Sequence, residues 1–163
     1  MAQSDKELAA LFLNFSREQL VGRYWPQMQA CAGTLTTEQL WWRPNPASNS
    51  IGNLLLHLNG NVRQWLVTPF NRLEDKRDRA AEFAAHDGAT AEELTSLLGA
   101  TIAEAAATLD RLSAEDLLAE YPIRGNPVRG LDAIAHVVAH FALHYGQIAY
   151  ITKQLSGQDL GFH

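Results

Sequence analysis

The sequence holds a single cysteine, Cys31, among 163 residues. One thiol cannot close an internal disulfide or supply any multi-cysteine zinc pattern, and it suits a reducing compartment. Basic charge is scarce too: 13 lysines and arginines face 18 acidic residues, giving a net charge of −5. A nucleic-acid surface needs a dense basic patch, so no nucleic-acid partner is expected. The sequence lacks the alternating Val/Ile/Thr-rich runs that build sheets, and it has no internal repeat. Its opening, MAQSDKELAA, is polar throughout and has no secretory apolar stretch, so a cytoplasmic protein is expected. Between Asp132 and Lys153 there is no Asp, Glu, Lys or Arg, a stretch about long enough to span a bilayer. Three histidines, Gly146 and Gln147 lie inside it, and hydrocarbon would penalise those polar groups. The stretch therefore reads as a buried helix, with no membrane partner.

A composition of 47% hydrophobic and 19% charged residues is that of a chain with a packed core, and the length fits one domain over residues 1–163. Helical periodicity dominates. A first helix is expected from Ser4 to about Cys31, with Leu8, Leu11, Phe12, Phe15 and Leu20 on its apolar side and Pro26 kinking or interrupting it. Thr36 and Gln39 form a capping box. A second helix, from about Ser50 to Leu66, carries Ile51, Leu54, Leu55, Leu58, Val62 and Trp65. The charged stretch from Thr68 to Ala89 is long for a connection and reads as a crossover or a mobile cover. Thr90 and Glu93 box the third helix, which should end near Leu112. The fourth runs from about Leu131 to Leu155 and is stopped by Gly157. Together these predict an all-α four-helix bundle with a long connection between helices 2 and 3. The fourth helix carries Leu131, Ile134, Val138, Phe141, Tyr145, Ile148 and Thr152 as its main stripe, and Ala135, Ala139, Leu143 and Tyr150 opposite. A helix apolar all round must be covered all round, so a homodimer is expected.

The fourth helix also holds the most unusual feature, HVVAHFALHYGQIAY, which spaces His136, His140 and His144 one turn apart. Six histidines scattered at random would give about 0.2 such pairs in a chain of this length, so the run calls for a reason. Residues four apart on a helix have Cβ atoms about 5–6 Å from one another, close enough for two imidazoles to reach one ion. The same spacing also fits half-exposed histidines on a helix flank. His140 and His144 lie nearer the apolar stripe than His136 does. HExxH is absent because Phe141 follows His140, and Glu-x-x-His is absent as well. These absences remove the zinc-peptidase helix and the di-iron carboxylate bundle. Of the other histidines, His163 ends the chain, His86 sits in the charged connection, and His57 lies inside the second helix. Taken alone, His57 reads as a flank residue. It could instead face the fourth helix across a seam, with Asn53 and Asn61 orienting its ring.

At His57 in LLLHLNGN, and at His140 and His144 in HFALHYGQI, the sequence resembles the DinB/YfiT-like superfamily of metal-dependent bacterial proteins. LWWRPNPASNSIGNLLLHL and YPIRGNPVRGLDAI are similar to an uncharacterised branch of it. The resemblance implies an up-down-down-up four-helix bundle, often dimeric. It also implies a divalent metal site formed by His57, His140 and His144, with zinc or nickel as the expected ion and iron or copper as the other imidazole-loving choices. His136 has no ligand role in that pattern. The family often places His or Arg just before Gly-Gln, whereas this chain has Leu143 and Tyr145 there.

The activity implied is that of a metal-dependent transferase or hydrolase acting on a small molecule, with a low-molecular-weight thiol as co-substrate in the transferase case. The alternative is a dimeric, stress-related metal-binding protein without turnover. Arg43, Arg124 and Tyr145 are candidates to meet a substrate carboxylate, although loop arginines are commonly just solvated. Trp41, Trp42 and Trp65 read as core or rim packing.

Overall fold

The computed structural model describes residues 3–161, so the chain-terminal His163 lies outside the described residues. Four long helices dominate. The first spans residues 3–33 without a break, as an α-helical stretch Gln3–Arg17, a π-helical stretch Glu18–Tyr24 and a second α-helical stretch Trp25–Gly33. Pro26 does not interrupt it. The ring enters at the start of the second α-helical stretch, just after the widened turns, where a missing N–H is tolerated.

The side this helix buries differs from the expected one. Ala9, Leu13 and Ser16 face inward with the expected Leu20, while Leu8, Leu11 and Phe15 are exposed, at 69%, 67% and 58%. Both sides of the segment carry apolar residues, and periodicity alone chose the longer set. Ser16 enters the core because its hydroxyl donates to the carbonyl of Phe12, at 2.8 Å.

The expected capping box at Thr36 and Gln39 opens a short helix, Thr37–Trp41. The second long helix covers residues 51–70, as Ile51–Val62, a π-helical turn Arg63–Val67 and Thr68–Phe70. Ser50 and Asn53 cap each other reciprocally at its start. Ile51, Leu54, Leu55, Leu58 and Val62 are buried as the pattern predicts, and Trp65 is half-buried.

The connection that follows is not irregular throughout. Asp78 caps a short helix, Arg79–Ala84, which packs against the second long helix. Thr90 and Glu93 then box the third long helix, Ala91–Leu109. A further capped turn, Ala114–Leu118, leads into an antiparallel hairpin of β1 (Glu120–Ile123) and β2 (Asn126–Arg129). This hairpin departs from the all-α expectation. Its two-residue turn, Arg124 and Gly125, has φ of 53° and 79°, the left-handed pair that matches strand twist in tight hairpins.

The fourth long helix, Gly130–Ser156, ends as expected at Gly157 in the left-handed conformation, φ 66°. Its buried side is Ala133, Ile134, Val137, Phe141, Ile148 and Thr152, so Val137 replaces the expected Val138 in the core. Ala135, Ala139, Leu143 and Tyr150 point outward.

The second long helix packs against both the third and the fourth, and the first packs against the same two. Leu20, Met28, Leu54, Leu58, Leu98, Ile102, Ile134 and Phe141 fill the shared interior, all with less than 2% exposure or very near it. Each such side chain contributes about 1.5–3 kcal/mol of burial. Among the described residues, no helix is long and apolar enough to cross a membrane.

Candidate metal centre

The seam between the second and fourth long helices brings His57, His140 and His144 together. His57 Nε2 lies 2.8 Å from His140 Nε2, and His144 Nε2 lies 3.2 Å from the same atom. One ligand atom from each residue falls within 4.8 Å of the others. Two nitrogens on a tetrahedral zinc ion at about 2.0–2.1 Å sit about 3.3 Å apart, so movements of a few tenths of an ångström would let this set hold a divalent ion. The leucine side of the second helix delivers His57, which is 4% exposed. The one-turn spacing delivers the other two, both half-buried.

The proton positions suit a ligand set. Gln147 Oε1 lies 2.7 Å from His144 Nδ1, and an amide oxygen only accepts, so Nδ1 carries the proton and Nε2 keeps its lone pair. Burial, reinforced by His144, His57 and His136, pushes His140 down to about 4, so it is neutral at physiological pH. Burial also lowers His144, with the Gln147 hydrogen bond opposing it, and lowers His136, assisted by Arg77 and Arg124. Neutral imidazole is the form that binds metal.

Nδ1 of His57 faces the connection between the second and third long helices, and the pattern reading had no signal for what meets it there. Glu82 Oε2 lies 2.9 Å from it, and Arg77 Nε donates to Glu82 Oε1 at 2.7 Å. Burial pushes the Glu82 carboxyl up, but the hydrogen bonds from Arg77 and His57 and the Arg77 charge outweigh that and hold it below the usual range. The Asn53 side chain makes no hydrogen bond to the His57 ring. Its amide donates to the carbonyls of Glu82 and Ala85, at 2.9 and 2.8 Å, and so ties down the connection that carries Glu82.

The remaining expected residues fall elsewhere. Asn61 meets His136 instead of His57, at 3.3 Å. His136 lies outside the cluster, with its ring 4.0 Å from Trp65 and stacked 5.3 Å from His140. His86 is exposed. Arg43 has a structural task, donating to Asn53 Oδ1 at 2.7 Å and to the Ala85 carbonyl at 2.8 Å. Trp41 likewise donates its indole N–H to the Ala89 carbonyl, at 2.8 Å. Tyr145 packs on Tyr24, with ring centroids 5.4 Å apart. Arg124, at the hairpin tip, borders a cavity of about 760 Å³ together with Arg72 and Gln64. Gln147 borders another, of about 390 Å³, walled by Trp42, Leu54 and Tyr150.

The helical fold is similar to that of a solved DinB-like protein. A DinB-like protein from Bacillus cereus superimposes with a TM-score of 0.65 at 14% identity, over 84% of this chain and 88% of that one. A conserved protein from Enterococcus faecalis superimposes with a TM-score of 0.74 at 20% identity, over 89% of this chain and 97% of the other. At such identities the likeness concerns the fold. The chain belongs to the DUF1572 family, described as a protein of unknown function, whose pattern matches residues 7–162. No curated protein matches the sequence.

Proposed function

We propose that the protein is a metal-dependent enzyme that holds one divalent ion, zinc or nickel, through His57, His140 and His144 and acts on a small molecule. The convergence of three Nε2 atoms from two helices carries this reading. Structural zinc sites are usually closed by four protein ligands, whereas three leave a position for water or substrate. When bound, the ion would supply a nucleophile at neutral pH, as metal hydroxide or as a thiolate from a low-molecular-weight thiol. The chain's own residues hold the rings in place, favour the neutral form of His140 and His144, and limit water on the His57 side. Gln147, which bonds His144 Nδ1, also borders a cavity with apolar and hydrogen-bonding walls, none of them one of the three histidines.

In this reading the four long helices form an up-down-down-up bundle, and a second copy covers Leu143 and Tyr150, which are 60% and 65% exposed. Light scattering should therefore give twice the monomer mass. Metal analysis of protein purified without a histidine tag should find one ion per chain, lost in His140→Ala. Conjugation and hydrolysis panels run with the same variant separate an enzyme from a protein that binds metal without turnover. Activity that survives His140→Ala unchanged would sink the catalytic reading.

A further inference from the structure

We infer that Glu82, clamped by Arg77 over Gly60, is a positioning residue that keeps the proton of His57 on Nδ1 and so dedicates Nε2 to the metal ion. The inference rests on the three-histidine reading and adds to it a residue from outside the two helices that carry the ligands.

A neutral imidazole has one N–H and one lone pair, and what Nδ1 meets decides which nitrogen is free. Two groups reach His57 Nδ1: Glu82 Oε2 at 2.9 Å and Arg77 Nη2 at 3.0 Å. They demand opposite tautomers. A guanidinium only donates, so pairing with Arg77 would need a lone pair on Nδ1 and would put a hydrogen on Nε2, facing the other histidines. A carboxylate only accepts, so pairing with Glu82 needs Nδ1–H.

The rest of the network decides between them. Arg77 Nη2 already donates to Glu82 Oε2 at 2.8 Å, Nε donates to Oε1 at 2.7 Å, and Nη1 donates to Gln64 Oε1 at 3.0 Å. Arg77 has partners without the His57 ring, since Nη2 also donates to the His57 carbonyl at 3.4 Å. With Nδ1–H, Oε2 accepts two charge-assisted bonds, one from His57 and one from Arg77. With Nε2–H, the carboxylate loses its imidazole donor inside a site where its side chain is only 9% exposed.

The backbone around the pair is arranged to admit it. Gly60 lies one turn beyond His57 on the second long helix. A Cβ there would collide with Glu82 Oε1 and come within 2.7 Å of Arg77 Nε. From the other side, Asn53 and Arg43 hold the carbonyls of Glu82, Phe83 and Ala85. Phe83 then covers the His57 ring, at 4.8 Å between centroids. A pair that merely closed the connection would need none of this alignment with Nδ1.

The test combines a spectrum and a titration. Long-range ¹⁵N–¹H spectra of the metal-free protein, with His57 assigned by comparison with His57→Gln, should show the Nδ1–H tautomer in the wild type. In the double variant Arg77→Met/Glu82→Leu, which replaces the ion pair by apolar groups and avoids an orphaned charge, that preference should disappear. Zinc affinity, measured by chelator competition, should fall about 10- to 100-fold while one site per chain is kept. A wild type with Nε2–H, or a double variant with unchanged affinity, overturns the inference. If the wild type binds no zinc at all, the three-histidine reading fails and the inference fails with it. The tautomer spectrum shows which of the two went wrong.

Discussion

Arg77→Met should be among the most damaging single changes outside the core. The guanidinium and the Glu82 carboxylate have side-chain exposures of 6% and 9%, so neither can turn to water. Removing the arginine leaves a buried carboxylate whose remaining strong partner is His57 Nδ1. Breaking such a pair from one side costs about 3–5 kcal/mol. At about 2–4 °C per kcal/mol for a domain of this size, the melting temperature of the metal-free protein at pH 7.5 should fall by about 6–20 °C.

Two controls locate the cause. The double variant Arg77→Met/Glu82→Leu removes the orphaned charge and should cost only about 1–3 kcal/mol, the penalty for an unpaired His57 N–H. The second control is pH. In the single variant burial acts on Glu82 with only His57 left to oppose it, so its folded pKa should rise relative to the wild type. A group with a raised pKa regains stability as pH falls, so the deficit should shrink between pH 7.5 and 5. Thermal melts followed by circular dichroism measure all three proteins. A single variant within about 1 kcal/mol of wild type, or a double variant as unstable as the single, would refute the picture of a buried and dependent carboxylate.

Other perturbations have defined outcomes. His140 is depressed from 6.5 to about 4, so its unfolded form takes up protons first. Stability of the metal-free protein should be complete above about pH 6.5 and decline toward pH 4, by at most about 3 kcal/mol from this residue. His140→Asn should flatten part of that slope in pH-dependent melts, and identical slopes would contradict the assignment. Gly60→Ala should destabilise and weaken zinc binding, whereas Gly146→Ala should be neutral or stabilising by up to about 1 kcal/mol. An added Cβ at Gly146 meets nothing within 4 Å. Equal melting temperatures for these two variants would show that the space around Gly60 is not tight. His136→Ala should leave metal stoichiometry at one per chain, because His136 lies outside the cluster; a zinc titration showing loss of the site would place it among the ligands.

Much of the architecture is legible in side-chain periodicity. The capping boxes at Thr36 and Thr90, the stripe from Ile51 to Val62 and the stop at Gly157 each follow from one local rule, and the structure places them accordingly. The cluster needed more. Four-residue spacing pairs His140 with His144, but helix position leaves His57 open as a flank or a seam residue, and the family resemblance selects it, since nothing local distinguishes a ligand from a flank histidine. Glu82 and Arg77 were illegible because their role depends on a contact across 25 and 20 residues, through a segment whose charge pattern reads as solvated surface. The inner side of the first helix departs from the expected one because Leu8, Leu11 and Phe15 compete with Ala9 and Leu13, and only tertiary packing chooses between them. The hairpin that turns at Arg124 and Gly125 is not legible in the sequence, since strands of four residues leave too short an alternation to recognise.

The wide turn at Arg63–Val67 has a consequence for how this chain tolerates changes in length. A π-turn accommodates one surplus residue while the α-helical stretches on either side keep their phase. Deleting one residue from an ordinary helical turn rotates everything downstream by about 100° and would swing Leu66 and Phe70 out of the interior. Deleting one within the π-turn lets the backbone relax into a regular helix, with His57 and Phe70 still on their present faces. Length variation in the second helix is therefore admissible at this one place, a built-in slack link just past the residues that gather the imidazoles.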